Sequence, residues 1–183
     1  MIEPDESSPT IAAIRVETGE ALDDALLIVS QTLQAEGIPL AGAVQRMLPA
    51  PRGHRCDADL LLLANGQSVT LPEERGEGAR GCRLNIPAFE AATEVVRQHL
   101  ADHPALLIIN RFGKREALGT GFRPAIAEAV ERGIPILVGV PERNWEAFCA
   151  FIGMEISVLP PEAQTILLWC RSVIPGRPDQ SSR

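Results

Sequence analysis

The sequence predicts an α/β fold: a mainly parallel sheet flanked by helices, with an antiparallel hairpin extension. Three observations carry this expectation. Two apolar runs, residues 105–109 and 134–140, have the length and character of strands buried on both faces, as in a parallel sheet. Strand-like segments alternate with segments of helical periodicity along most of the chain. A strong hairpin turn signal, Asn65-Gly66, separates two short strand-like runs.

The 183 residues suffice for one domain with a substantial core, expected over residues 10–174, with flexible tails at 1–9 and 175–183. The composition, 45% hydrophobic and 22% charged, is that of a globular protein. A formal net charge of -7 argues against nucleic acid as a partner, because such binding needs Lys and Arg to neutralise phosphates. No apolar run approaches the ~20 residues that span a bilayer. Residues 1–10 are acidic and polar, without a signal-peptide pattern, so a cytoplasmic location is expected. Cys56, Cys82, Cys149 and Cys170 are widely spaced, with no Cys-x-x-Cys pair, and are expected as reduced thiols.

In chain order, residues 11–16 form a candidate first strand, and Glu17-Thr18-Gly19-Glu20 a turn. A helix is expected over 21–36, because Leu22, Leu26, Val29 and Leu33 recur at spacings of three and four. Glu20, Asp23 and Asp24 complement its dipole, and Gly37 suits its end. Residues 38–44 form a second strand, with Pro39 at its beginning, and 46–55 a loop holding Arg46, Arg52, His54 and Arg55. Residues 57–63 and 68–71 form the hairpin around Asn65-Gly66. Asn85 is placed to cap a helix over 87–100, which has Pro87 in its first turn. Further helices are expected over 122–132, 145–151 and 161–173, and a short last strand over 155–159. Asn144 is a candidate cap for the helix at 145.

Residues 72–83 read as a charged, glycine-rich loop. Its Gly76-Glu-Gly-Ala-Arg-Gly81 string has the form G-x-G-x-x-G, but it follows a hairpin and not a buried strand. The dinucleotide reading is therefore rejected.

The order of parts resembles the small nucleoside-triphosphatases of the P-loop class found in thermophiles and animals. The residues that carry the likeness are Gly37-Ile-Pro-Leu-Ala-Gly42, Asp57-Ala-Asp59-Leu with Asn65-Gly66, the strand leading to Gly113-Lys114-Arg-Glu116, and Pro135-Ile-Leu-Val-Gly-Val-Pro141. The chain resembles more closely an uncharacterised bacterial domain family of the same presumed fold, often encoded near molybdate-transport genes. Gly78-Ala-Arg-Gly-Cys-Arg-Leu84, Asn110-Arg-Phe-Gly-Lys-Arg-Glu116 and Val140-Pro-Glu-Arg-Asn144 carry that second resemblance. Both imply a P-loop NTPase-like fold, and the second implies a role accessory to molybdenum metabolism.

The chain departs from the nucleotidase pattern twice. A P-loop reads G-x-x-x-x-G-K-[ST], with amides cradling phosphates and a lysine neutralising them. Here the first strand leads into Glu17-Thr-Gly-Glu-Ala-Leu-Asp23-Asp24, with Leu22 and Asp23 near the places of the lysine and the hydroxyl residue. The acidic pair that the resemblance implies after the pivot strand, residues 105–109, is Asn110-Arg111. The Walker A element thus reads as degenerate.

In open α/β sheets, ligands bind beyond the carboxyl ends of the strands. Asn110, Lys114 and Glu116 are expected to form a polar cluster there. Thr18 and Gly19 belong to the turn after the first strand, and Arg143 follows the last long apolar run. Arg80 and Arg83 flank Gly81-Cys82, where two guanidinium forks suit a tetrahedral oxyanion. Convergence of His54, Cys56 and Cys82 as metal or redox ligands matches no standard zinc spacing, and the sequence specifies no cofactor. Phe112 is read as packing, and His99 and His103 as structural.

The expected function is binding of a small anion (phosphate, nucleotide or an oxyanion such as molybdate) or of a protein partner at the strand ends. Two alternatives stay open: an active nucleoside-triphosphatase or kinase with a non-standard site, and a pure interaction module whose cleft is filled by side chains.

Overall fold

The structure, a computed structural model, describes residues 10–47, 58–71 and 84–174. Its strands are β1 (Ile11–Val16), β2 (Leu40–Met47), β3 (Ala58–Leu62), β4 (Ser68–Thr70), β5 (Leu106–Ile109), β6 (Ile136–Pro141) and β7 (Ser157–Leu159). They form one sheet in the order β4-β3-β2-β5-β6-β1-β7. Strands β2, β5, β6, β1 and β7 are parallel, and β3 and β4 extend the β2 side antiparallel. The two apolar runs that predicted the fold, β5 and β6, lie side by side in the middle of the sheet, fully buried.

The helices are α1 (Glu20–Ala35), α2 (Ile86–His99), α3 (Lys114–Ala117), α4 (Arg123–Glu131), α5 (Trp145–Ile152) and α6 (Ala163–Val173). The period-2 alternation of the strands splits the core into two layers. Ala12, Ile14, Leu106 and Ile108 face α1 and α6, meeting Leu22, Leu26, Val29, Leu33, Ile166 and Leu167. Ile11, Ala13, Leu107 and Ile109 face α2, α4 and α5, meeting Ala92, Val96, Ile126, Phe148 and Ile152.

The expected ends of the elements have the expected causes. Gly37 follows α1 at φ 76°, the left-handed conformation that closes a helix. The Asn85 side chain caps α2, its Oδ1 accepting from the Ala88 amide at 3.0 Å.

Two local expectations are corrected, and one element was not foreseen. Arg46 is not in a loop: β2 runs on to Met47, and Arg46 pairs in register with Asp59 of β3. The polar Gln45-Arg46 pair ended the apolar signal, but the antiparallel partner prolongs the ladder. Asn144 makes no cap bond to α5; its Nδ2 donates to the Phe112 carbonyl at 2.9 Å. Lys114 and Glu116 stand in the short helix α3, which is too brief to leave a periodic signal.

Candidate functional site

The carboxyl ends of β1, β5 and β6 share one edge of the sheet. α1 begins there, seated closely over β6. A Cβ on Gly139 would fall 2.5 Å from Leu22 Cδ2 and 2.2 Å from the Asn110 carbonyl oxygen. The bare backbone of Gly139 therefore lets the first turn of α1 settle against the sheet. Asp23 can then reach past β6 to the end of β5.

Asp23 is 6% exposed, and both of its carboxylate oxygens are bonded. Oδ1 accepts from Asn110 Nδ2 at 2.8 Å, and Oδ2 accepts from Arg111 Nη2 at 2.8 Å. Asn110 Oδ1 accepts from the Gln45 amide at 2.8 Å, which joins β2, β5 and α1 through one side chain. The Arg111 guanidinium lies against the start of α1: a Cβ on Gly19 would stand 1.9 Å from its Nη2. Arg111 Nε is buried without a hydrogen-bond partner among the described residues.

A second network ties the turns after β5 and β6 together. The Phe112 amide donates to the Gly139 carbonyl at 2.8 Å, and Asn144 grips the Phe112 carbonyl. Phe112 is fully buried, edge-on to Phe148 and stacked on Phe151, so its packing role is as expected. Glu116, 2% exposed, accepts from the Gly113 amide at 2.8 Å and from the Phe122 amide at 2.9 Å. Burial pushes its carboxyl above the ordinary range, opposed by those backbone donors. Gly121, at φ 64°, lets the chain pass the carboxylate, since a Cβ there would stand 2.1 Å from Glu116 Oε1.

The expected Asn110–Lys114–Glu116 cluster therefore does not assemble. Asn110 turns to Asp23, and Glu116 turns inward to the backbone. Lys114 is exposed at the start of α3, and Arg143 is exposed in the turn between β6 and α5. Neither has a carboxylate partner among the described residues. Beside Arg143, Glu142 is paired with Arg15, which holds its carboxyl below the ordinary range. Arg15 in turn lies 4.9 Å from the centre of the Trp145 ring. Thr18 and Gly19 sit in the β1–α1 turn, flanked by exposed Glu17, Glu20 and Asp24. Arg80, Arg83, His54, Cys56 and Cys82 lie outside the described residues. Among the described residues no group of three His, Cys, Asp or Glu side chains is placed to hold a metal ion.

Sequence reasoning named Asp23 and Arg111 as separate departures and missed that they meet. The available signal was their opposite charge, an acid in the first turn of the first helix and a base just after the pivot strand.

A family model described as protein of unknown function (DUF2478) matches residues 11–169. The chain belongs to this family. It is 33% identical over 161 residues to the molybdenum import ATP-binding protein ModC 2 of Bradyrhizobium diazoefficiens. That match takes in 88% of this chain but 18% of the relative, so the chain spans under a fifth of it. Among solved structures, the fold is similar to that of a human cancer-related nucleoside triphosphatase, at a TM-score of 0.62 and 18% identity, covering 95% of this chain and 99% of that one. It is equally similar to THEP1 from the hyperthermophile Aquifex aeolicus, at a TM-score of 0.63 and 13% identity, covering 92% and 99%. At those identities the likeness establishes the fold, which is P-loop NTPase-like. No helix among the described residues is long and apolar enough to cross a membrane.

Proposed function

We propose that this DUF2478 chain is a cytoplasmic binding module on a degenerate P-loop fold. It takes a small oxyanion at the turns after β5 and β6 and does not hydrolyse nucleoside triphosphates. The observation that carries the reading is the double bonding of Asp23 to Asn110 and Arg111. Phosphoryl transfer is almost wholly positioning and charge neutralisation. An acid stands near the hydroxyl position, and its partner Arg111 fills the space against Gly19. Exposed Glu17, Glu20 and Asp24 repel a triphosphate from the start of α1.

The cations without a carboxylate partner support an anion a few residues away. Lys114 and Arg143 lie one or two residues from Phe112 and Asn144, whose hydrogen bond joins the segments after β5 and β6. Arg80 and Arg83 are further candidates for the same ligand. Molybdate leads the set of oxyanions because of the relative named for molybdenum import, and a role accessory to molybdenum handling follows from it. A second reading, docking of a protein partner on this edge, is favoured by Leu118. This side chain is 73% exposed just beyond α3, close in sequence to Lys114.

A thermal-shift series tests the proposal with phosphate, molybdate, tungstate, ATP and GTP, each with and without magnesium. At a hundred times Kd a ligand adds ~2.7 kcal/mol. Molybdate or phosphate is expected to raise the melting temperature, and magnesium to add nothing to the effect of ATP. A magnesium-dependent ATP shift with no oxyanion shift would overturn the reading.

A further inference from the structure

The carboxyl edge of the sheet is divided by charge, and the division follows the two core layers. α1 packs in the layer of Val16, Leu22 and Ala25, and the turn that leads into it presents acids: Glu17, Glu20 and Asp24 are exposed. Arg111, which lies against Gly19, is neutralised by Asp23.

α3 and α5 pack in the other layer, with Phe112, Ala117 and Phe148. Lys114 and Arg143 are exposed there, and Arg123 stands 4.3 Å from the centre of the Phe151 ring. None of these three cations has a carboxylate partner among the described residues. The carboxylates nearby are already engaged: Glu116 is buried, Glu90 is paired with Arg115 and Glu142 with Arg15. Exposed Glu146, in the first turn of α5, is the exception.

Leu118 stands among these cations. It ends α3 in a helical conformation. At about 100° per residue it lies roughly 200° from Glu116, and between Lys114 and Arg115 around the turn. Burial of Glu116 therefore turns Leu118 outward, and the side chain is 73% exposed. Acids on one half of an edge, with cations and a leucine on the other, make that edge complementary to itself. A two-fold axis between the start of α1 and the starts of α3 and α5 brings the acidic half of each copy onto the basic half of the other. The local attraction opposes the general repulsion between two chains of net charge -7.

We infer that the carboxyl edge is a self-association surface, on which Lys114, Arg143 and Leu118 of one copy meet Glu17, Glu20 and Asp24 of a second. A second copy is thus the partner for the docking reading of this edge. The inference shares two cations with the oxyanion reading but does not rest on it, and the two fail separately because association is measured here without any oxyanion.

The test is sedimentation velocity of the intact chain over a concentration series, in oxyanion-free buffer at low and at high salt. At low salt the mass should rise with concentration from one chain towards two, and high salt should weaken the association by screening. Lys114→Glu with Arg143→Glu reverses the basic half, and Glu20→Lys with Asp24→Lys the acidic half. All four side chains are exposed, so both double variants should melt cooperatively, close to the parent. Each alone should stay a single chain at every concentration. Mixed in equal amounts, the two should pair with a dissociation constant within about threefold of the parent's. Leu118→Ser, which alters no charge, should weaken the parent dimer about fivefold. A parent that stays monomeric, association that survives both reversals, reversed variants that do not pair when mixed, or a dimer untouched by Leu118→Ser would overturn the inference.

Discussion

Arg111 Nη2 donates to Asp23 Oδ2 at 2.8 Å, joining the end of β5 to the first turn of α1. The pair sets an acid on the helix start against a base on the strand end. The helix start and strand end thereby neutralise each other without metal or phosphate.

That pairing predicts a measurable coupling. In a double-mutant cycle, Asp23→Ala and Arg111→Ala should show an interaction of ~1–2 kcal/mol by chemical denaturation. This is below the ~3–5 kcal/mol lost on breaking a fully buried pair, because the Arg111 side chain is 36% exposed. Strictly additive effects would show that the two side chains do not meet.

Gly19→Ala probes the same contact from the backbone. The added Cβ collides with the mobile end of Arg111 and not with fixed backbone, and Gly19 sits at φ -94° without strain. Folding should be retained within about 1 kcal/mol, while the guanidinium moves off Asp23. A crystal structure with Arg111 still on Asp23 would contradict this.

Glu116 is expected to be structural. Glu116→Ala orphans the Gly113 and Phe122 amides, each at ~1–3 kcal/mol. The pH dependence has a definite sign. The folded carboxyl lies above its ordinary 4.5, so the native state holds its proton more tightly than the unfolded chain. This contribution to stability is fully present below 4.5 and is lost as pH rises through the folded value. Denaturation midpoints of the parent and Glu116→Gln should therefore differ in slope over that interval. Identical slopes would exclude it.

Lys114 and Arg143 should carry the anion response. Lys114→Ala with Arg143→Ala should reduce the molybdate- or phosphate-induced shift in melting temperature without lowering the unliganded melting point by more than a degree or two, since both side chains are exposed. If the oxyanion shift instead disappears only in Arg80→Ala with Arg83→Ala, the site belongs to the glycine-rich stretch of sequence that holds those two residues.

The fold was legible because its signals are local. The runs at β5 and β6, the heptad-like spacing of Leu22, Leu26, Val29 and Leu33, the Asn85 cap and the Asn65-Gly66 turn each act within a few residues. The site was legible only as an inventory. Asp23 and Arg111 are 88 residues apart, and their meeting depends on the close seat of α1 over Gly139. Glu116 was read into a polar cluster with Asn110 and Lys114 because its partners are backbone amides, which leave no mark in a sequence. Asn144 was read as a cap for the same reason: its true acceptor is the carbonyl of Phe112, distant in sequence.

The central claim is that the fold binds without hydrolysing. Its most direct test is phosphate release from ATP and GTP with magnesium, comparing the parent chain with Lys114→Ala. Each missing charge-assisted contact removes ~1.5–3 kcal/mol, and ~1.4 kcal/mol is tenfold in rate. The account predicts release at the no-protein background for both proteins. Turnover in the parent that disappears in Lys114→Ala would contradict it, by showing that the phosphate-binding lysine had moved to the β5 turn.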